Sequence, residues 1–172
     1  MKDAAESVII EPFNPEKHSV ELLTTLLHES YAELYKKGMH FYAATQDAQA
    51  TLRRLTKGKS LIALLDGAIV GTITYYANDT GSKCEWYTRP NVGYFGQFAV
   101  HPKYQKLGIG KKMLIIVEQM AKDEGKKELA LDTSEHAEEL IAYYTKNGFT
   151  WVEYTQWDKT NYRSVVMSKS LD

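Results

Sequence analysis

Gln105-Lys106-Leu107-Gly108-Ile109-Gly110-Lys111-Lys112 is the stretch of this chain whose residue types and spacing could do chemistry. The first amides of a helix have no internal partner and its dipole favours negative charge there, so a helix entered through this loop offers an anion site. Gly108 and Gly110 remove the side chains that would hold a diphosphate away from those amides. Lys106, Lys111 and Lys112 stand where a first turn normally carries acids, an arrangement that a bound anion turns from mildly unfavourable to favourable. Three lysines alone would serve solubility equally well. Other phosphate motifs fail: a Walker loop needs glycine at 105 and Ser or Thr at 112, and a dinucleotide fingerprint needs a third glycine at 113. The chain has Gln105, Lys112 and Met113 there.

The loop needs a strand before it and a helix after it. Val92 to Val100 reads as the strand, with Gly93 and Gly96 as rival sites for a bulge. Met113, Leu114, Val117, Met120 and Ala121 form the buried stripe of a helix that runs to about Glu124 and stops at Gly125. Val8-Ile9-Ile10 opens as a short strand. Asn14-Pro15-Glu16 reads as a helix start, followed by Val20, Leu23, Leu26, Leu27, Tyr31 and Leu34 at helical spacing until Gly38. A second helix starts at Thr45 with Ala48, Leu52 and Leu55 on one face. Ser60–Leu65, the Asp66-Gly67 turn and Ala68–Tyr76 read as a hairpin. Asn78 to Pro90 is a loop with a strand fragment around Trp86. Glu128 to Asp132 is a strand, after which Thr133 or Ser134 caps a helix bearing Ala137, Leu140, Ile141 and Tyr144. Phe149–Tyr154 and Arg163–Met167 form the closing strands. The order βααβββαβαββ implies one α+β domain over residues 1–172, with a mixed, mostly antiparallel sheet of six to seven strands and helices on both faces.

Composition narrows the function. A net charge of −1 without a long basic run argues against a nucleic-acid partner. No unbroken apolar run exceeds five residues, far short of a membrane span, and Met1–Ser7 lacks the apolar segment of a secretory signal. Cys84 is the only cysteine, so no internal disulfide forms, which fits a reducing cytoplasm, and nothing beside it marks a nucleophile. The five histidines have no metal-ligand spacing, so no metal is expected.

At Gln105-x-x-Gly108-x-Gly110 the sequence resembles the GNAT acetyltransferase family, whose signature is Gln or Arg, two residues, Gly, one residue, then Gly or Ala. Tyr144, four residues before Gly148-Phe149, matches a later aromatic signal of that family, and the element order agrees from about Val8 to Ser168. The resemblance implies an N-acetyltransferase that moves acetyl from acetyl-coenzyme A to a primary amine of a small molecule or peptide. It implies that the strands ending at Val100 and Asp132 splay apart, with pantetheine along the backbone of Phe98, Ala99 and Val100. The amides of Gln105, Lys106, Leu107, Gly108, Ile109, Gly110 and Lys111 would hold the pyrophosphate. The Val100 amide would polarise the acetyl carbonyl, and Tyr144 would give the departing thiolate its proton.

Where relatives often carry a glutamate this chain has Gln97, which cannot accept a proton, so the base is open among Asp132, Glu85, Asp158 and a water chain. Ala137 stands where a relative's asparagine would touch the cofactor. Tyr35, His40, Phe41 and Tyr42 on one side, and Tyr154, Trp157 and Tyr162 with Asp158 on the other, would suit a cationic amine. Packing the core or a homodimer is the other use of those rings. A non-catalytic acetyl-coenzyme A sensor is the competing function, and release of free thiol separates the two.

Overall fold

The computed structural model describes residues 7–172; Met1–Glu6, part of the segment read for a signal peptide, lie outside the described residues. Four helices and seven strands follow the expected order: β1 (Ile9–Pro12), α1 (Val20–Lys36), α2 (Ala48–Lys57), β2 (Lys59–Leu65), β3 (Ala68–Tyr76), β4 (Val92–Val100), α3 (Ile109–Asp123), β5 (Glu128–Ser134), α4 (Glu138–Lys146), β6 (Thr150–Thr155) and β7 (Ser164–Ser170). The strands form one sheet in the order β1-β2-β3-β4-β5-β7-β6. Every neighbouring pair is antiparallel except β4–β5.

Alternation along each strand sends successive side chains to opposite faces. Leu61 and Ala63 join Met113, Leu114 and Val117 of α3, with Phe95, Leu129, Leu131 and Tyr144, in the larger core. Ile62, between them, turns the other way to meet Leu23, Leu26 and Leu55 of α1 and α2. A third cluster of Cys84, Tyr87, Val92, Ala130 and Val166 closes that second face beyond β4. The Asp66-Gly67 turn has positive φ at both residues (50° and 81°), which matches the right-handed twist of the hairpin strands it joins.

Four local expectations change. Asn14 does not start α1. Its side chain accepts from the Glu16 amide and its carbonyl from the Lys17 and His18 amides, closing a turn, and Ser19 caps the helix by accepting from Leu22 N at 3.1 Å. Asp47, not Thr45, caps α2, which buries Ala50, Thr51 and Leu55 and leaves Leu52 exposed. Trp86 lies in a short 3₁₀ helix, Glu85–Thr88, rather than a strand. Thr133 and Ser134 extend β5; Ser134 Oγ accepts from the His136 amide, and α4 begins after Ala137 with no side-chain cap. No described helix is long and apolar enough to cross a membrane.

Candidate active site

β4 and β5 pair over only three positions, Val92↔Glu128, Gly93↔Leu129 and Tyr94↔Ala130. Beyond Tyr94 the strands part, leaving one edge of β4 free while its other edge stays on β3. Their separation begins next to a bulge: Thr72 faces Ala99 and Thr74 faces Gly96, so Gln97 and Phe98 together oppose Ile73. The bulge residue is Gln97 itself, at φ 47°, rather than Gly96 or Gly93. Gly93 is required for another reason. A Cβ there would lie 2.7 Å from the Tyr75 ring, whereas at Gly96 it would meet nothing closer than 3.7 Å.

His101 N donates to Val70 O at 2.8 Å, so by antiparallel alternation Ala99 turns its backbone to β3 and Val100 turns its N–H and C=O to the free edge. Val100 O there accepts from Ser30 Oγ (3.2 Å) and Gln105 Nε2 (2.9 Å), and Phe98 O from Tyr31 Oη (2.8 Å). Of the three residues expected along the pantetheine, Phe98 and Val100 offer backbone to the opening and Ala99 does not. Its side chain packs with Leu27 and Ala43.

The loop that follows turns through two left-handed residues, Lys106 (φ 65°) and Gly108 (φ 87°), the second being the N-cap of α3. Glycine has no side chain to cap with, and the first amide to find a partner inside the helix is Lys112 N, on Gly108 O at 3.1 Å. The amides of Ile109, Gly110 and Lys111 therefore remain available to a ligand. A Cβ on Gly110 would sit 3.2 Å from the Phe98 ring, so glycine lets this first turn lie against β4. Gln105, Lys106, Leu107, Gly108 and Lys111 are exposed, while Ile109 is buried as the helix anchor. Lys112 turns to the Val8 carbonyl at 3.2 Å instead of joining the other two lysines at the loop. Uncapped amides, left-handed turns and a free strand edge fit a phosphate and an extended amide-bearing arm.

On the other side of the split lies a cleft of about 540 Å³. Phe95, Leu131 and Tyr144 from the α3 face line it, as do Tyr31, Arg54, Tyr87 and Asp132 from the opposite side. The parted strands thus open a window through the sheet. Tyr144 is buried, tilted on Phe95 (6.1 Å) and edge-on to Phe149 (5.9 Å). Burial pushes its hydroxyl well above the ordinary tyrosine value, so it holds its proton. Tyr143, its neighbour on another face, does not line the cleft.

Asp132 is the most deeply buried of the carboxylates at this window. Tyr87 Oη donates to Oδ1 at 2.7 Å and Trp157 Nε1 to Oδ2 at 2.8 Å. Burial raises its pKa above the usual aspartate value, opposed by those two hydrogen bonds. Tyr87 is itself fixed by stacking on Tyr94 (3.9 Å, 6°), which stacks in turn on Tyr76 (5.0 Å). Asp158 also lines the cleft, but it is exposed and paired with Lys83 at 2.6 Å. Glu85 is exposed and lies outside the cleft.

Of the expected aromatic walls, Phe41, Tyr42, Trp157 and Tyr162 do line the cleft. Tyr35 and His40 stack on each other at 4.5 Å away from it, and Tyr154 lies outside beneath Arg163 at 3.6 Å. Sequence reasoning passed over Arg54 and Lys57 on α2, as well as Tyr76, Tyr87 and Tyr94. The positions of Arg54 and Lys57 in a helix with strong polar character gave no hint of a site, although Asp132 and its strand were in view. Cys84 is buried, its thiol pushed up to about 12 by burial, which fits an inert side chain. Among the described residues no group of three His, Cys, Asp or Glu could hold a metal.

Residues 20–149 match the sequence profile described as the acetyltransferase (GNAT) family. The S-(2-succino)cysteine N-acetyltransferase of Bacillus subtilis (strain 168) is 28% identical over 138 residues, which cover 77% of this chain and 79% of that protein. A GNAT family acetyltransferase from Elizabethkingia anophelis, solved with acetyl-CoA bound, superposes with a TM-score of 0.68 at 17% identity, covering 96% of this chain and 99% of that one. The PaiA N-acetyltransferase from Thermoplasma acidophilum, solved with coenzyme A, gives 0.70 at 20% identity, covering 95% and 99%. With the match spanning most of the chain and the split sheet in place, this protein belongs to the GNAT family of acetyltransferases, enzymes whose acetyl donor is acetyl-CoA.

Proposed function

We propose that the protein N-acetylates a primary amine of a small molecule in the reducing cytoplasm, by direct attack of the amine on the thioester. One observation carries this reading. The split between β4 and β5 brings a buried carboxylate, Asp132, and a protonated hydroxyl, Tyr144, to one cleft beside the free edge that ends at Val100. An amine near pKa ~10 arrives mostly protonated, so a base is needed, and Asp132 takes that proton. Its raised value brings it nearer to the working pH than an exposed aspartate, which suits a base. Val100 N–H, turned to the free edge, stabilises the charge that builds on the carbonyl oxygen. Tyr144 Oη, without a hydrogen-bond partner among the described residues, is free to donate to the leaving sulfur.

The relative named for S-(2-succino)cysteine supports a small amine-bearing acceptor. Gln105 through Lys111 hold the diphosphate in this reading, with Phe98 and Val100 along the arm. Tyr144→Phe tests it. Turnover should fall at least about tenfold with the affinity for acetyl-CoA nearly unchanged, while Tyr143→Phe stays close to the parent. An unchanged rate in Tyr144→Phe removes that hydroxyl from the reaction.

A further inference from the structure

Four cations line the cleft, and two of them are answered within the protein. Lys57 pairs with Asp79 at 3.1 Å and Lys83 with Asp158 at 2.6 Å. Arg54 and Lys159 have no carboxylate partner among the described residues. Both gather over one ring, Tyr42, with the guanidinium carbon 5.6 Å and the ammonium 4.2 Å from its centre. Two cations at one ring add to the positive potential that an anion entering the cleft would meet.

Hydrogen-bond direction adds a second, independent sign. Arginine can only donate, so the Gln46 atom that meets Arg54 Nη1 at 2.7 Å must be its carbonyl oxygen. The amide nitrogen of Gln46 then faces Thr51 Oγ1 (2.9 Å) and Gln97 (2.7 Å). Thr51 agrees, because its own proton goes to Asp47 O and it must accept from Gln46. Gln97 consequently turns its oxygen to Gln46 and its Nε2 away, and that NH₂ has no partner although Gln97 is only 3% exposed. A buried donor left without an acceptor destabilises the fold that holds it. Gln97 bears this cost on top of its left-handed backbone, on the wall of the same cleft, and Gly96 beside it keeps the strand open to Arg54 Nη2, 3.9 Å from where a Cβ would stand.

We propose that Arg54, with Lys159 and the Gln97 amide, forms a carboxylate subsite, so that the acceptor is an α-amino acid or amino-acid derivative whose carboxylate docks here while its amine faces Asp132. The subsite rests on the acetyl-transfer reading for its meaning but not for its detection. Arg54 is near enough for its charge to be felt at Asp132, so the cleft presents opposite charges to the two ends of one small zwitterion. Gln46 is a positioning residue. It holds Arg54 and turns Gln97, and touches no substrate.

The test uses L-methionine, L-glutamate and S-carboxymethyl-L-cysteine, each beside its α-carboxamide. Thiol release from acetyl-CoA is read for all six, and their binding to the coenzyme A-loaded protein by calorimetry. At least one acid should exceed its amide by about tenfold or more in kcat/KM and in affinity, the range of a charged hydrogen-bonded pair. Arg54→Gln should erase most of that preference through KM. Gln97→Glu keeps the contact with Gln46 but turns an acceptor toward the subsite, and should penalise the acid about tenfold while sparing the amide. Equal use of acid and amide, with thiol released from both, overturns the subsite and leaves acetyl transfer standing. Acids that bind in preference to amides yet release no thiol keep the subsite and overturn acetyl transfer. Acids that show no preference in either assay overturn the subsite.

Discussion

The two halves of the cleft are built from different materials. On the side proposed for the cofactor, the available groups are three amides at the start of α3 and the free edge of β4, and side chains would matter chiefly by being absent at Gly108 and Gly110. On the side proposed for the acceptor, the lining is of side chains drawn from separate segments: Arg54 from α2, Gln97 from β4, Tyr87 from the 3₁₀ turn, Asp132 from β5 and Trp157 from the loop after β6. Main-chain donors cannot be substituted away, only blocked or bent. Side-chain contacts can be exchanged one at a time. The first half therefore suits a donor common to a family, and the second suits acceptors that differ between members.

Replacing Asp132 by Asn should bring out the contrast most sharply. Turnover should drop by about 10²- to 10³-fold with acetyl-CoA affinity retained, as measured by calorimetry against steady-state rates. In the parent enzyme the rate should fall as pH drops through the raised value of Asp132, at a higher pH than an exposed aspartate would show, and the variant should lack that limb. The stability change runs in the opposite sense. A folded-state value above the unfolded one means that the ionised form is disfavoured by folding. The parent should therefore lose stability relative to Asp132→Asn as pH rises between the ordinary aspartate value and the raised one, then level off.

Gly108→Val should come next, acting on the other half. A β-branched residue at φ 87° is strained and covers the amides, so acetyl-CoA should bind at least about tenfold more weakly while acceptor preference is preserved. A variant that instead shifted acceptor choice would show that the halves are not separable. The smallest effect belongs to Lys111→Ala. This exposed cation should contribute about two- to threefold in acetyl-CoA affinity at low salt, fading at high ionic strength.

What could be read without coordinates follows the same division. The loop from Gln105 to Gly110 is contiguous, and the role proposed for it depends on backbone, so glycine spacing reports it directly. The hairpin through Asp66-Gly67 and the stripe of Met113, Leu114, Val117 and Ala121 were equally plain, being local or periodic. Arg54 and Tyr87 were not legible, because nothing in their neighbourhood along the chain says that Asp132, about forty-five or more positions later, will meet the second and feel the first. The errors at Asn14 and Ser134 arose from side chains that can serve a tight turn as well as a helix start. The bulge, expected at Gly93 or Gly96, was misplaced for a different reason. A left-handed bulge suggests glycine, and here a glutamine takes that shape, with its side-chain oxygen bonded to Gln46 of a distant segment.

The three-rung junction of β4 and β5 also has a mechanical meaning. It divides the sheet into two plates, β1-β2-β3-β4 and β5-β7-β6, with few main-chain ties between them, so α3, packed on both, serves as the strap. Under thermal or pulling stress the plates should part at this line before either frays within. A molecule wedged into the gap would act as a rivet, slowing amide exchange on both plates at once.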